Sequence, residues 1–133
     1  AYSVGLANFF KEAFTAGGGT IVAEQQYQKG DQDYTAQLNT IKQANPDVII
    51  CPGEYQEVAL AIDQARKLGI NAPFLGGDTV DVDKFLEYGK LVEGVTVSSH
   101  FDAAAPEVTP ETKVFMDAFK AKYPNKQPSR LPL

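Results

Sequence analysis

The sequence holds one cysteine, one histidine and one methionine among 133 residues, and no tryptophan. One cysteine cannot close an internal disulfide, and one cysteine with one histidine cannot build a closed zinc site. This scarcity leaves the compartment open, because many exported proteins of this size have no disulfides. Long apolar runs are missing as well. Those present, such as Val48-Ile49-Ile50-Cys51, have the length of buried strands, far below the roughly 20 residues of a membrane-spanning helix. Positive charge is also scarce: 12 Lys and Arg against 17 Asp and Glu give a net charge of −5 and a pI near 4.8. A nucleic-acid-binding chain normally shows a basic face, so no nucleic-acid partner is expected. Catalytic signatures are absent too. There is no HExxH, GxSxG or CxxC, and Gly76-Gly77 lacks the Lys-Ser/Thr of a P-loop. Gly17-Gly18-Gly19 follows a predicted helix rather than a strand, so it is no dinucleotide fingerprint. Neither an enzyme nor a cofactor is expected.

What is present is ordinary globular material. Hydrophobic residues make up 44% and charged residues 22%, enough for one domain with a core. Ala1-Tyr2-Ser3 has no basic region leading into an apolar core, so no signal peptide is expected there. The stretch reads as the start of a cytosolic protein or of a mature or excised piece.

Helical and strand periods alternate along the chain. Leu6, Phe9, Phe10, Ala13 and Phe14 predict a helix with Ser3 as its N-cap, stopping at the glycine triplet. Thr20 to Tyr27 is β-branched and partly alternating, which predicts a strand. Asp33 is placed to cap a helix carrying Tyr34, Leu38 and Ile41 and ending before Pro46. Asp47 to Cys51 predicts a buried strand, broken by Pro52-Gly53. The next helix carries Val58, Ile62, Ala65 and Leu68 and closes at Gly69. Pro73 to Leu75 and Val95 to Ser99 predict further strands, with a brief helix between them capped by Asp81. Val114, Phe115, Ala118 and Phe119 define a last helix after an Ala/Pro-rich loop. Such alternation implies an α/β fold, a mostly parallel sheet with helices on both faces in three α/β/α layers. The first element is a helix where such folds usually begin with a central strand, so an opening strand is missing from the pattern.

In open parallel sheets, ligands bind beyond the carboxyl ends of the strands. That rule selects Gly53-Glu54-Tyr55, Gly76-Gly77-Asp78-Thr79, Ser98-Ser99-His100 and, on the same edge, Tyr2-Ser3. Asp78 reads equally well as a helix cap or as a ligand group. Glu54 and Tyr55 read first as residues of a helix's opening turn, where acidic groups are favoured. Tyr2 reads as a frayed terminal residue if the chain begins at this point. His100 has no Ser/Asp partner at a recognisable spacing and reads as structural. Cys51, in an apolar strand, reads as a small hydrophobe.

Several stretches in a fixed order carry a resemblance. They are Tyr2-Ser3-Val4-Gly5-Leu6-Ala7, Gly30-Asp31-Gln32-Asp33-Tyr34, Ala44-Asn45-Pro46-Asp47-Val48-Ile49 and Gln64-Ala65-Arg66-Lys67-Leu68-Gly69. Phe74-Leu75-Gly76-Gly77-Asp78, Glu93-Gly94-Val95 and Phe119-Lys120-Ala121-Lys122-Tyr123 complete the series. From Tyr2 to about Ser129 this resembles the second lobe of the branched-chain amino-acid (Leu/Ile/Val) binding proteins. These are exported solute-binding components of ABC transporters with the type I periplasmic binding protein fold.

The resemblance implies an incomplete second lobe over residues 1–128, with a tail over 129–133. It implies an amino-acid ligand enclosed between two lobes by hinge closure and delivered to a membrane permease, in a periplasmic or extracytoplasmic setting. Tyr2 matches a cleft tyrosine, and Asp78 matches an acidic residue that meets the ligand's α-ammonium. Glu54 falls where leucine-binding members carry a tyrosine, with Tyr55 as its aromatic neighbour. A carboxylate there would favour a polar or cationic ligand side chain. The same lobe also serves in ligand-sensing domains of receptors and transcriptional regulators, which is the alternative reading. An absent central strand would leave open sheet edges, inviting a strand-exchanged homodimer.

Overall fold

The computed structural model describes residues 2–100 and 109–126. The chain divides into two compact units, Ala1–Ser98 and Ser99–Leu133.

In the first unit, α1 (Tyr2–Ala16) is followed by α2 (Thr35–Ala44), β1 (Ile49–Cys51) and α3 (Tyr55–Lys67). Then come β2 (Phe74–Gly76), a 3-10 turn (Asp78–Val80), α4 (Asp83–Leu86), a second 3-10 turn (Gly89–Val92) and β3 (Thr96–Val97). The strands form one parallel sheet in the order β1-β2-β3, with Ile49 opposite Phe74 and Leu75 opposite Thr96. The α/β class with an open parallel sheet is therefore as expected. Because the strands are parallel, all three carboxyl ends share one edge.

The core forms around α3. Val58, Ala59, Ala61, Ile62 and Ala65 recur at helical spacing and are buried. They pack with Tyr34 and Leu38, Ile49, Ile70 and Phe74 of the sheet side, and Val80, Phe85 and Val92. Sequence chemistry closes α3 at both ends. Glu54 and Glu57 form a capping box at its start, and Gly69 takes the left-handed backbone (φ 77°) that ends it. Beyond that end, Arg66 donates to the Ile70 and Ala72 carbonyls at 2.6 and 3.0 Å and lies over the Phe74 ring. Asn45 ends α2 with a φ of 48°, before Pro46 as predicted.

Four expectations are corrected. Thr20 to Tyr27 forms no strand, helix or turn among the described residues. A strand needs a partner's ladder, and none of the three strands runs beside it. Ser3 is not a cap but lies inside the first turn of α1, because Tyr2 is already helical. Asp81 is not the N-cap of α4: extended Val82 holds that position, and the Asp81 amide bonds back to the Asp78 carbonyl. The N-cap of α2 is Tyr34. Asp33 acts one residue earlier, its Oδ1 accepting the Thr35 amide at 2.8 Å.

The second unit contains α5 (Pro110–Lys122), capped by Thr109 and opened by a proline at its first position. Phe115, Phe119 and Tyr123 stack along it with ring centroids 5.9 and 5.1 Å apart. The expected Ala/Pro-rich loop and the tail over 129–133 fall outside the described residues.

Candidate functional site

The carboxyl edge of the sheet is built by two turns. Cys51 ends β1 and leads through Pro52-Gly53 into Glu54, the N-cap of α3. Gly76 ends β2 and leads through Gly77 into the 3-10 turn that opens with Asp78. Thr79 Oγ1 donates to the Gly53 carbonyl at 2.6 Å, joining the two turns.

Tyr2 reaches this edge from the first turn of α1, and its hydroxyl donates to Asp78 Oδ1. Partial burial and then Asp78 raise the phenol's pKa, with Thr79 acting in the opposite sense. Tyr2 is 43% exposed and Asp78 partly so. Gly77 makes the approach possible. A Cβ there would lie 2.5 Å from the Tyr2 hydroxyl and 2.8 Å from Leu6 Cδ2, closer than real side chains allow.

Glu54 is exposed and engaged with the start of α3. Its amide donates to Glu57 Oε2 at 3.3 Å, one arm of the capping box. The first-turn reading of Glu54 therefore describes its geometry. Tyr55, the first residue of α3, is half-buried and packs against the core. Of the four candidates, the structure thus bonds Tyr2 to Asp78 and places Glu54 one residue from the Gly53–Thr79 link. Tyr55 turns toward the core.

Beneath the β1 turn lies a layer that the sequence pattern did not single out. Tyr27 donates to Glu57 Oε2 at 3.1 Å, and its ring packs on Tyr34 with centroids 5.1 Å apart. Burial, with help from Cys51 and Glu57, drives the Tyr27 phenol far above its ordinary pKa. Burial, then Glu57, pushes the Cys51 thiol up to about 12. Both groups stay protonated at neutral pH, and the thiol is no nucleophile. Tyr27 ended the stretch predicted as a strand. The nearest available signal was Gly53 itself, a small residue where a neighbour could come close.

Among the described residues no group of three or more His, Cys, Asp or Glu is arranged to hold a metal ion. No described helix is long and apolar enough to cross a membrane. The site therefore offers a partly exposed carboxylate paired with a phenol, on a glycine turn whose free space Tyr2 fills.

A family model described as periplasmic binding protein matches residues 1–132. The chain belongs to the periplasmic binding protein family. It is 34% identical over 122 residues to the Leu/Ile/Val-binding protein BraC3 of Rhizobium johnstonii, covering 92% of this chain and 33% of that one. Among solved structures it is similar to the leucine-binding protein LivK of Thermotoga maritima, with a TM-score of 0.82 and 40% identity. That match covers 97% of this chain and 36% of LivK. The branched-chain amino-acid substrate-binding protein LivJ of Streptococcus pneumoniae, solved with isoleucine, matches with a TM-score of 0.75 and 34% identity. It covers 97% of this chain and 36% of LivJ. The type I periplasmic binding protein fold implied by the resemblance is thus established. The chain spans about a third of the length of the relatives it matches.

Proposed function

We propose that this chain is the greater part of the second lobe, residues 1–128, of an extracytoplasmic solute-binding protein. That protein captures an amino acid, branched-chain or related, between two lobes and presents it to an ABC transporter permease. Its work is capture without catalysis. The observation that carries the reading is the partly exposed Tyr2–Asp78 pair on the Gly77 turn, at the edge where open parallel sheets take ligands. An α-ammonium entering a closing cleft loses hydration and needs an anion in exchange. Asp78 supplies it, and Tyr2 supplies an apolar wall and a hydroxyl. The ligands of the relatives, leucine, isoleucine and valine, agree with this chemistry.

Glu54 and Tyr55 border the ligand in this reading. With Glu54 engaged at the start of α3, its charge serves the helix before it serves a cationic ligand side chain. β1 and β3 are the outer strands of the described sheet, and a strand-exchanged homodimer of this chain is the assembly such edges favour.

The test is an amide-shift titration of the chain with L-leucine and, in parallel, N-acetyl-L-leucine, which has no ammonium. L-Leucine should move the Asp78 and Thr79 amides and the acetylated compound should not. Equal responses to both compounds, or shifts confined to other regions, would count against an ammonium site at Asp78.

A further inference from the structure

Two glycines at the ligand edge each receive a tyrosine hydroxyl. Tyr2 fills the space beside Gly77, and Tyr27 occupies the space that a Cβ on Gly53 would take. The two are not equivalent. Tyr2 is exposed and meets Asp78, whereas Tyr27 is half-buried, packs on the core and donates to Glu57. The Glu57 oxygen that accepts from Tyr27 also accepts the Glu54 amide. The Gly53 carbonyl, one residue earlier, accepts from Thr79, whose neighbour is Asp78. An unbroken series of contacts therefore runs from Tyr27 through the β1 turn to the Asp78 turn.

We propose that Tyr27 is a positioning residue of the ligand site: its hydroxyl, seated against Gly53 and held by Glu57, sets the Gly53–Glu54 turn, and the Thr79–Gly53 bond passes that setting to Asp78. Its consequence for binding rests on the amino-acid reading above, but its geometry does not. The other atoms nearest to a Cβ at Gly53 are Val58 Cγ2 at 3.4 Å and Glu57 Oε2 at 3.5 Å. The Tyr27 oxygen is therefore the atom that bars a larger residue at position 53. Removing that one oxygen makes the room that an alanine needs.

The experiment compares Gly53→Ala, Tyr27→Phe and the double variant by amide shifts and by L-leucine titration, with melting temperature recorded alongside. Gly53→Ala should displace the amides of Glu54, Thr79 and Asp78, and should need at least fivefold more L-leucine for half-response. Adding Tyr27→Phe should reverse more than half of both effects. A role confined to stability would lower the melting temperature of Gly53→Ala and leave the Thr79 and Asp78 amides in place, which would overturn the proposal. So would a double variant as displaced as Gly53→Ala alone. If Gly53→Ala does not fold, the double variant must recover folded protein and Tyr27→Phe alone must still move Glu54 and Thr79; failure of either overturns the proposal. If L-leucine moves nothing in the unaltered chain, the amino-acid reading falls, while the three amides still decide the role of Tyr27.

Discussion

Helices α1 and α3 both start at the ligand edge and are of similar length, 15 and 13 residues, yet their surroundings differ completely. α3 buries five residues against the sheet and its neighbours. α1 buries none, and Phe9 is 74% exposed. The difference does not come from apolar content, since α1 carries Leu6, Phe9, Phe10 and Phe14. It comes from what each helix has to pack on. α3 lies against α2, α4 and the two 3-10 turns, and its buried face shares the core with Ile49 and Phe74. α1 is held by Tyr2 on Asp78, by Leu6 at Gly77 and by the exposed Lys11–Glu24 ion pair at 2.8 Å. Helical stability in proteins derives mostly from packing an apolar face, so α3 anchors the site and α1 delivers one side chain to it.

The largest effect that sharpens this contrast is a cavity under α3. Ile62→Ala should cost about 2–5 kcal/mol, read from the urea midpoint, because Ile62 is wholly buried. A loss below about 1 kcal/mol would mean that α3 is not the anchor.

Alkali probes the same layer. Burial raises the folded-state pKa of Cys51 from 9.0 to about 12 and raises those of Tyr27 and Tyr34. The folded chain then holds protons that the unfolded chain releases. Stability should be level below about pH 9 and fall as pH rises toward 12. Cys51→Ala should make that fall shallower, and a urea midpoint unchanged between pH 8 and 12 would contradict the assignment.

Glu57→Ala removes one arm of the capping box and the acceptor of Tyr27. It should cost about 1–2 kcal/mol, checked by thermal melting against Glu57→Gln, which keeps an acceptor. The smallest effect belongs to α1. Phe9→Ala should stay within about 0.5 kcal/mol of the parent chain, and a larger loss would show that the helix packs more tightly than its exposure indicates.

Much of this was legible in the residues. The helix positions of Val58, Ile62 and Ala65, the stop at Gly69 and the short strands before Pro52 and at Phe74 follow from period and punctuation. So does the choice of turns at the carboxyl edge. The segment Thr20 to Tyr27 was misread because β-branched content describes a strand's residues and says nothing about its neighbours. Glu54 shows a different limit. Its place in the opening turn of α3 was readable, but its bonding with Glu57 competes with a ligand role for the same carboxylate. Tyr27 was invisible because its function depends on a glycine 26 positions away, and no local pattern encodes that contact.

In the proposed function, Asp78 meets the amino group of an amino-acid ligand. The direct measurement is calorimetric titration of L-leucine into a two-lobed protein carrying this sequence as its second lobe, with and without Asp78→Ala. Asp78→Ala should cost about 1.5–3 kcal/mol of binding, the scale of a hydrogen bond to a charged group, with the melting temperature of the free protein little changed. Equal affinity in the two proteins would remove Asp78 from the site.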